Sequence, residues 1–340
     1  MKMLSLFSGI GAFEEALKNM NLDYDLVNYC EINPYAAKAY SLIHNISQIK
    51  NLGDITKVDE SKLNNFDLMT YGFPCQSYSM QGKRLGFDDP IKGDLFFESM
   101  RIVRHCKPKY LIAENVEGLL THDEGQTYQT IINTLDYIGY NSYSKVLNTT
   151  HFEVPQLRKR LFIVSIRKDI KKGFKFPIGR MTSKGVKDIL DYDPNRKKPK
   201  DTLIPYMNTK YFTHKYLNEN GIIKLFDGCK EEYFTSSFSG NRIYSVVGVS
   251  PTLTTKNDAV YFEIGGHLNQ RERFALQGFK KEYVNLLLEN GISLSEINKM
   301  SGNSITVNVV KEILRNLLLA DTMIQKQDLA IPQQQLSLII

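Results

Sequence analysis

The sequence predicts an α/β fold, in which a doubly wound, mostly parallel sheet is followed by a smaller, irregular domain. Three observations support this prediction. Short apolar runs alternate with amphipathic helical stretches through the first half of the chain, as is typical of strand–helix–strand units. Beyond Phe174 the alternation stops, and prolines at 177, 194, 199 and 205 interrupt the pattern. Helical periodicity then returns from Ile305 to Leu319.

The predicted elements follow one another in a regular order. The strands are short runs of mainly apolar residues, at 3–7, 26–30, 67–71, 110–113 and 161–166. The helices lie between them, at 12–20, 34–44, 95–106 and 128–138. Pro34 suits the start of its helix because the first turn tolerates proline. Ligands of such sheets bind beyond the carboxyl ends of the strands, so residues that follow predicted strands are the candidates for function.

The composition fits a globular protein with one large domain and a second lobe. The chain has 340 residues, of which 42% are hydrophobic and 24% are charged. The net charge of +6 is concentrated, because the segment 167–200 holds twelve Lys or Arg against four Asp. Such a basic segment is typical of a surface that binds a phosphate backbone, and it equally fits a solvated linker.

Cysteine usage and hydropathy indicate the compartment. The four cysteines lack the close, regular spacing of a zinc site or a disulfide framework, so we expect reduced thiols and no metal. The apolar run at the N-terminus is too short for a signal peptide, and no segment is long enough to cross a membrane. We therefore expect a cytoplasmic protein.

A glycine-containing turn follows the first predicted strand. Gly9 and Gly11 stand between that strand and a helix, where the backbone can approach a ligand. Glu31 ends the next strand, where a carboxylate can accept hydrogen bonds from ribose hydroxyls. The turn lacks the Gly-x-Gly-x-x-Gly pattern, so it favours an adenosyl ligand over a dinucleotide. A plain tight turn remains the alternative.

Cys75 is the candidate nucleophile. It follows a predicted strand and Pro74, and the thiolate is the form of cysteine that attacks. A free cysteine is more often buried and inert, but Gln76, Ser77 and Ser79 are too polar for an ordinary core position.

Two further segments supply charged groups. Glu114 ends a predicted strand and is a candidate general acid, although a capping or ion-paired glutamate gives the same pattern. Arg158 and Arg160 alternate by two and therefore share one face of a strand, where they could fix a polar ring or a phosphate. A charged edge strand is the alternative.

Taken together and in order, these segments resemble the cytosine-carbon-5 DNA methyltransferases of bacterial restriction–modification systems. The catalytic half particularly resembles the GCGC-specific member of that family. The matching motifs are the cofactor loop 7–11, the nucleophile motif 74–76, the acid motif 114–116, the arginine motif 156–160 and the late motif 302–304. The stretch 266–272 departs from the family pattern, because it lacks the usual arginine and threonine.

The resemblance implies the fold of class I S-adenosylmethionine-dependent methyltransferases with a smaller target-recognition domain. It implies that Phe13 stacks on the adenine of S-adenosylmethionine and that Glu31 holds the ribose. Asn303 and Ser304 should reach the methionine end, and Asp54 the adenine amine. The implied cofactor residues are Phe7, Gly9, Gly11, Phe13, Glu31, Ile32, Asp54, Ile55, Pro74, Asn303 and Ser304.

The resemblance also implies the chemistry. Cys75 should add to carbon 6 of a cytosine flipped out of double-stranded DNA, with Glu114 near ring nitrogen 3. Arg160, with Arg158, should bind the cytosine oxygen, and the loop 76–93 should close over the DNA. The implied DNA contacts are Gln81, Lys83, Arg84, Ser239, Arg242, Tyr244 and Thr252.

The expected organisation has four parts. Residues 1–173 should form the catalytic and cofactor-binding domain, and 174–300 the target-recognition domain. Residues 301–325 should form a helix that returns to the catalytic domain, and 326–340 a tail. We expect a monomer without an obligatory protein partner. The alternatives are a tRNA cytosine-5 methyltransferase, whose Cys-Phe-Thr tripeptide we do not find, a non-catalytic binding module and a dehydrogenase.

Overall fold

A computed structural model of the chain describes residues 1–74, 95–192, 221–227, 242–256 and 259–328. Its larger sheet contains β1 (Lys2–Leu6), β2 (Asp25–Cys30), β3 (Leu68–Tyr71), β4 (Tyr110–Val116), β5 (Tyr140–Asn148) and β6 (Lys159–Arg167). The strands stand side by side in the order β2-β1-β3-β4-β6-β5. The first four of these are mutually parallel, and β6 runs antiparallel to both of its neighbours. The prediction of a mostly parallel sheet is confirmed.

Helices cover both faces of this sheet. Their bounds are α1 (Ala12–Asn19), α2 (Pro34–His44), α3 (Leu95–Cys106), α4 (Gln126–Tyr137), α5 (Gln270–Ala275), α6 (Glu282–Glu289), α7 (Leu294–Asn303) and α8 (Val307–Asp328). Successive strand residues point to opposite faces. Met3 therefore packs in the core that contains α1, α2 and α8, whereas Leu4 packs in the core that contains α3 and α4. The sheet is doubly wound, as predicted.

Strand β5 was not predicted. It lies at the edge of the sheet, and its side chains are buried only at Tyr140 and Leu147. An edge strand that is half in contact with solvent needs no continuous apolar run, so its polar sequence hides it.

Part of the segment predicted to belong to the smaller domain packs with the larger one. Helices α5, α6 and α7 lie within the segment expected to be irregular, yet Phe274, Leu287 and Ile297 share one core with α1 and α2. We therefore place the end of the smaller domain near residue 269 rather than 300. The expected single helix at 301–325 is instead the end of α7 followed by α8, which begins at Val307 and includes the first residues of the expected tail.

The smaller domain has its own sheet and core. Strands β7 (Lys224–Asp227), β8 (Arg242–Tyr244) and β9 (Val260–Tyr261) pair in that order. Behind them, Val186, Val249 and Leu253 are among the residues of a separate hydrophobic cluster.

Among the helices in the described ranges, none has both the length and the apolar character that crossing a membrane requires.

Candidate active site

The turn between β1 and α1 is held by backbone conformations that favour glycine. Gly9 has φ +54° and Gly11 has φ +79°, both in the left-handed region. The Gly9 amide donates to Glu31 Oε2 at 2.9 Å, and the Asn33 amide donates to Glu31 Oε1 at 2.8 Å. Burial raises the pKa of Glu31 in spite of these bonds, which act in the opposite direction. The carboxyl group that the sequence assigned to the ribose is thus fixed beside the turn.

Gly11 is required by packing as well as by its conformation. A β-carbon at Gly11 would lie 2.1 Å from His44 Nε2. Burial lowers the pKa of His44 to about 3, so its ring is neutral at physiological pH. Nε2 lies 2.9 Å from the carbonyl oxygen of Ile10, and we assign the ring proton to it, because the buried Nδ1 has no hydrogen-bond partner among the described residues. His44 therefore supports the turn from behind.

A cavity of about 310 Å³ opens between this turn, β3 and α7. Its volume lies at the lower end of the range of small-molecule sites. It brings together seven of the predicted cofactor residues: Phe7, Gly9, Phe13, Glu31, Pro74, Asn303 and Ser304. Sequence reasoning missed further polar lining residues, namely Ser5, Asn33, Thr70, Glu296 and Lys299. Glu296 and Lys299 were missed because their helix lies in the segment that was expected to be irregular.

Four predicted cofactor residues do not line this cavity. Gly11 faces His44, and Ile55 is buried in the core on the α3 side of the sheet. The side chain of Ile32 is largely exposed. Asp54 Oδ1 accepts hydrogen bonds from the amide and hydroxyl of Thr56, which lower the pKa of Asp54. The predicted contact of Asp54 with the adenine amine and the cofactor-binding roles of the other three residues remain predictions.

The candidate acid is paired with a predicted arginine. Arg160 Nε lies 3.2 Å from Glu114 Oε1, and the two side chains are only 18% and 13% exposed. Burial raises the pKa of Glu114, and the positive charges of Arg160 and Arg158 partly oppose this rise. A β-carbon at Gly72 would lie 3.7 Å from Glu114 Oε2, so the end of β3 passes directly beside the acid.

The predicted nucleophile follows that same stretch of chain. Cys75 itself lies outside the described residues, but Pro74 is the last residue described before it and lines the cavity. Asn115 Nδ2 donates to the carbonyl oxygen of Phe73 at 3.0 Å, which fixes the backbone two residues before the cysteine. Strand β4, which carries Glu114 and Asn115, thus holds the backbone that leads to Cys75.

The two arginines of the predicted pair have different environments. Arg158 is 3% exposed, and its guanidinium donates to the carbonyl oxygens of Leu253, Gly302 and Ser304 at 2.9–3.2 Å. Burial lowers the pKa of Arg158 to about 9. Arg158 therefore joins the smaller domain to the junction of α7 and α8. Gln156 acts similarly, because it bonds to the backbones of Leu253 and Leu276.

The predicted DNA contacts are only partly described. Gln81, Lys83, Arg84 and Ser239 lie outside the described residues. Arg242 is half-buried at the start of β8, and the exposed Thr252 donates to the carbonyl oxygen of Leu157 at 2.6 Å. The predicted DNA contact of Tyr244 does not fit its position. Its side chain is 4% exposed and packs in the core of the smaller domain, so it is not available to DNA.

Comparison with known proteins identifies the family. The sequence model described as C-5 cytosine-specific DNA methylase matches residues 1–318. The chain belongs to this family. The family resemblance inferred from the motifs is thereby confirmed. The mostly parallel sheet also agrees with the class I methyltransferase fold that the resemblance implied.

Curated relatives come from bacteria and phages. The orphan methyltransferase M.SPRI of Bacillus phage SPR is 36% identical over 285 residues, which cover 75% of this chain and 64% of that protein. The orphan methyltransferase M.Rho11sI of Bacillus phage rho11s is 33% identical, and the match covers 76% of this chain and 58% of that protein. The chain thus spans less than two thirds of these two relatives. The type II methyltransferase M.HhaI of Haemophilus parahaemolyticus is 31% identical, over 93% of this chain and 94% of that protein.

Solved structures show the same fold at lower identity. A DNMT2 mutant from Spodoptera frugiperda is 21% identical with a TM-score of 0.66, and the match covers 93% of this chain and 99% of that one. A putative DNA modification methyltransferase encoded within a prophage of E. coli is 17% identical with a TM-score of 0.64, over 93% and 98%.

Proposed function

We propose that the chain is a DNA (cytosine-5-)-methyltransferase that transfers the methyl group of S-adenosylmethionine to carbon 5 of a flipped cytosine. One observation carries the proposal. Gly72 lines the cavity and also lies beside Glu114, so the cavity, the paired acid and the approach to Cys75 meet at one point. A methyl donor in the cavity and a pyrimidine held by Glu114 would then be neighbours.

The residues of the cavity fit S-adenosylmethionine. The carboxyl group of Glu31 suits ribose hydroxyls, because each of its oxygens keeps an acceptor site after accepting one backbone amide. Phe13 supplies an aromatic ring at the turn, and Asn303 and Ser304 supply polar groups at the end of α7. When bound, the cofactor supplies the electrophilic methyl group for the activated carbon 5 of cytosine.

The chain's own groups activate the base. The thiolate of Cys75 adds to carbon 6 of cytosine, which makes carbon 5 nucleophilic. Glu114 favours that addition, because its raised pKa lets the carboxyl group donate a proton toward ring nitrogen 3. Arg160 holds Glu114 in place and presents its remaining N–H groups to the cytosine oxygen. Loss of the proton from carbon 5 then expels the cysteine.

The other cysteines within the described ranges are unsuited to this role. Burial raises the pKa of Cys30 to about 12, and its thiol donates to the carbonyl oxygen of Gly53 at 2.8 Å. Burial also raises the pKa of Cys106. Because the thiolate is the attacking form, these shifts argue against Cys30 and Cys106 as the nucleophile, whereas Cys229 lies outside the described residues.

The substrate would be double-stranded DNA, with the target cytosine extruded at a cost of about a few kcal/mol. We propose that the chain acts as a monomer in the cytoplasm of a bacterial or phage-infected cell and protects host DNA from a restriction endonuclease. The basic segment 167–200 would contribute contacts to the phosphate backbone.

Bisulfite sequencing of a plasmid tests the proposal. The plasmid is incubated with the purified chain and S-adenosylmethionine, and Cys75→Ser serves as the inactive control. We expect cytosines within one short sequence to resist conversion, and only with the wild-type chain. Methylation by Cys75→Ser would refute the nucleophile assignment. Methylation of a tRNA transcript in place of the plasmid would favour the tRNA alternative.

A further inference from the structure

Charged side chains are few around the cofactor cavity. Among the described residues that line it, only Glu31, Glu296 and Lys299 are charged. Glu31 is held at the glycine turn by the amides of Gly9 and Asn33. Lys299 is therefore the one cationic side chain that the described lining offers to a bound anion.

Glu296 and Lys299 form a pair on one face of α7. Lys299 Nζ lies 2.6 Å from Glu296 Oε1. Residues three, four and seven apart share a helix face, so the pair follows the same face as Asn303, which also lines the cavity. Glu296 is 16% exposed and Lys299 is 52% exposed, so the carboxylate is the more enclosed member. The cavity wall thus carries a positive and a negative group side by side.

We propose that Glu296 and Lys299 recognise the amino-acid end of the cofactor, with Lys299 binding its α-carboxylate and Glu296 its α-ammonium group. This inference rests on the proposed function, because it assigns a part of the same ligand. A zwitterion binds best where both charges find opposite partners, and charge-assisted hydrogen bonds are the stronger ones. Glu31, Glu296 and Lys299 together carry one net negative charge when all are ionised. S-adenosylmethionine carries one net positive charge, from its sulfonium.

Two ligands that differ only in the amino-acid end test this inference. S-adenosylhomocysteine has that end, and 5′-methylthioadenosine lacks both of its charged groups. Binding of each is measured by calorimetry, with competition for the weaker ligand, on the full-length wild-type chain, Lys299→Met and Glu296→Gln. Lys62→Met and Glu312→Gln are matched controls, because each alters a helical ion pair that does not line the cavity.

We expect Lys299→Met and Glu296→Gln each to weaken the binding of S-adenosylhomocysteine about five- to tenfold. The loss is moderate because solvent screens a partly exposed pair. The Kd for 5′-methylthioadenosine should change less than about twofold from the wild-type value, because this ligand lacks both charged groups. The controls should bind both ligands as the wild type does. Lys299→Arg should retain most of the affinity, because it keeps the cation.

Unchanged binding of S-adenosylhomocysteine by both variants would overturn the inference. An equal loss for both ligands would also overturn it, since that result would show a structural effect on the cavity. A wild-type chain that binds neither adenosyl ligand would instead contradict the proposed function itself.

Discussion

The side-chain amide of Asn115 donates a hydrogen bond of 3.0 Å to the carbonyl oxygen of Phe73. Asn115 lies on β4 next to Glu114, and Phe73 follows β3 on the way to Pro74 and the predicted nucleophile. The oxygen of the same amide accepts from the backbone of Val116 at 2.8 Å, so both ends of the side chain are engaged. One buried amide therefore fixes the backbone at Phe73, two residues before Cys75 in the sequence, relative to Glu114.

Asn115→Asp should uncouple these two segments. The change keeps the size of the side chain and the acceptor for Val116, but it replaces the donor that faces Phe73 by an oxygen. Losing a buried hydrogen bond costs about 1–3 kcal/mol. We expect kcat to fall about 10- to 100-fold, while the Kd for S-adenosylhomocysteine changes less than about threefold. Single-turnover methylation and calorimetry measure the two quantities. An unchanged kcat would contradict the positioning role, and Asn133→Asp, on the exposed face of α4, is the control.

Arg160→Met should shift the pH dependence of methylation. The guanidinium of Arg160 opposes the rise that burial causes in the pKa of Glu114. Without it, the pKa of Glu114 should rise further. If the protonated acid is the active form, the alkaline limb of the kcat profile should move to higher pH while the maximum falls at least about tenfold. Rates between pH 6 and 9 check this, and a limb that moves to lower pH would argue against Glu114 as the acid.

Arg158→Lys should act mainly on stability. Arg158 is buried and donates to three carbonyl oxygens, and a lysine cannot reach all of them in the same geometry. Unpaired buried groups are costly, so we expect the free energy of unfolding to fall by about 3 kcal/mol. Arg160→Lys keeps a cation beside Glu114 and disturbs no comparable set of carbonyl contacts, so it should lose less stability than Arg158→Lys. Urea unfolding of both variants compares them. Equal losses would remove the distinction between the two arginines.

The sequence predicts the fold where burial leaves a clear pattern. Strands β1, β3 and β4 are enclosed on both faces, so their sequences are apolar runs that are easily recognised. Gly9 follows the end of β1, and Glu114 lies near the end of β4. Strand β5 and the helices α5 to α7 were missed. The first is a half-exposed edge, and the others are short helices of 6, 8 and 10 residues in the segment that was expected to be irregular.

The motifs of the candidate site could be predicted from the sequence, but the different contacts of the individual residues could not. The alternation of side chains along a strand predicted Arg158 and Arg160 on one face. It could not show that Arg158 binds the carbonyl oxygens of Leu253, Gly302 and Ser304, which lie at least 95 positions later in the sequence. Likewise, Glu296 and Lys299 reach the cavity only because α7 and the glycine turn line the same cavity, an arrangement with no local signature in the sequence.

Gly11→Ala should be far more harmful than Gly9→Ala. A β-carbon at Gly11 meets His44 Nε2 at 2.1 Å and the ring of Tyr40 at 2.9 Å, whereas one at Gly9 meets nothing within 4 Å. Both residues have positive φ, which costs an alanine about 1–2 kcal/mol. The clash adds about 1–3 kcal/mol at Gly11. We expect Gly11→Ala to lower the free energy of unfolding by about 2–5 kcal/mol, the sum of these terms. Thermal unfolding of both variants tests this, and similar melting temperatures would contradict it.

His44 should make the stability of the chain fall in weak acid. Its pKa is lowered from 6.5 to about 3 by burial, so between these values the unfolded chain binds a proton that the native ring does not bind. Stability is therefore fully present above pH 6.5 and falls as the pH drops towards 3. At pH 5 the expected loss from this one group is about 2 kcal/mol. His44→Gln keeps a donor for the carbonyl oxygen of Ile10 and does not titrate.

Urea unfolding of the cofactor-free wild type and of His44→Gln, at pH 7.5 and pH 5, measures this contribution. Burial also raises the pKa of Glu14, which packs near Tyr40 and affects stability in the opposite sense. That group is present in both chains, so the difference between them isolates His44. We expect the variant to gain about 2 kcal/mol on the wild type between the two pH values. If the two pH profiles run parallel, the ring behind the glycine turn must accept a proton in the native state, and the neutral support assigned to it is wrong.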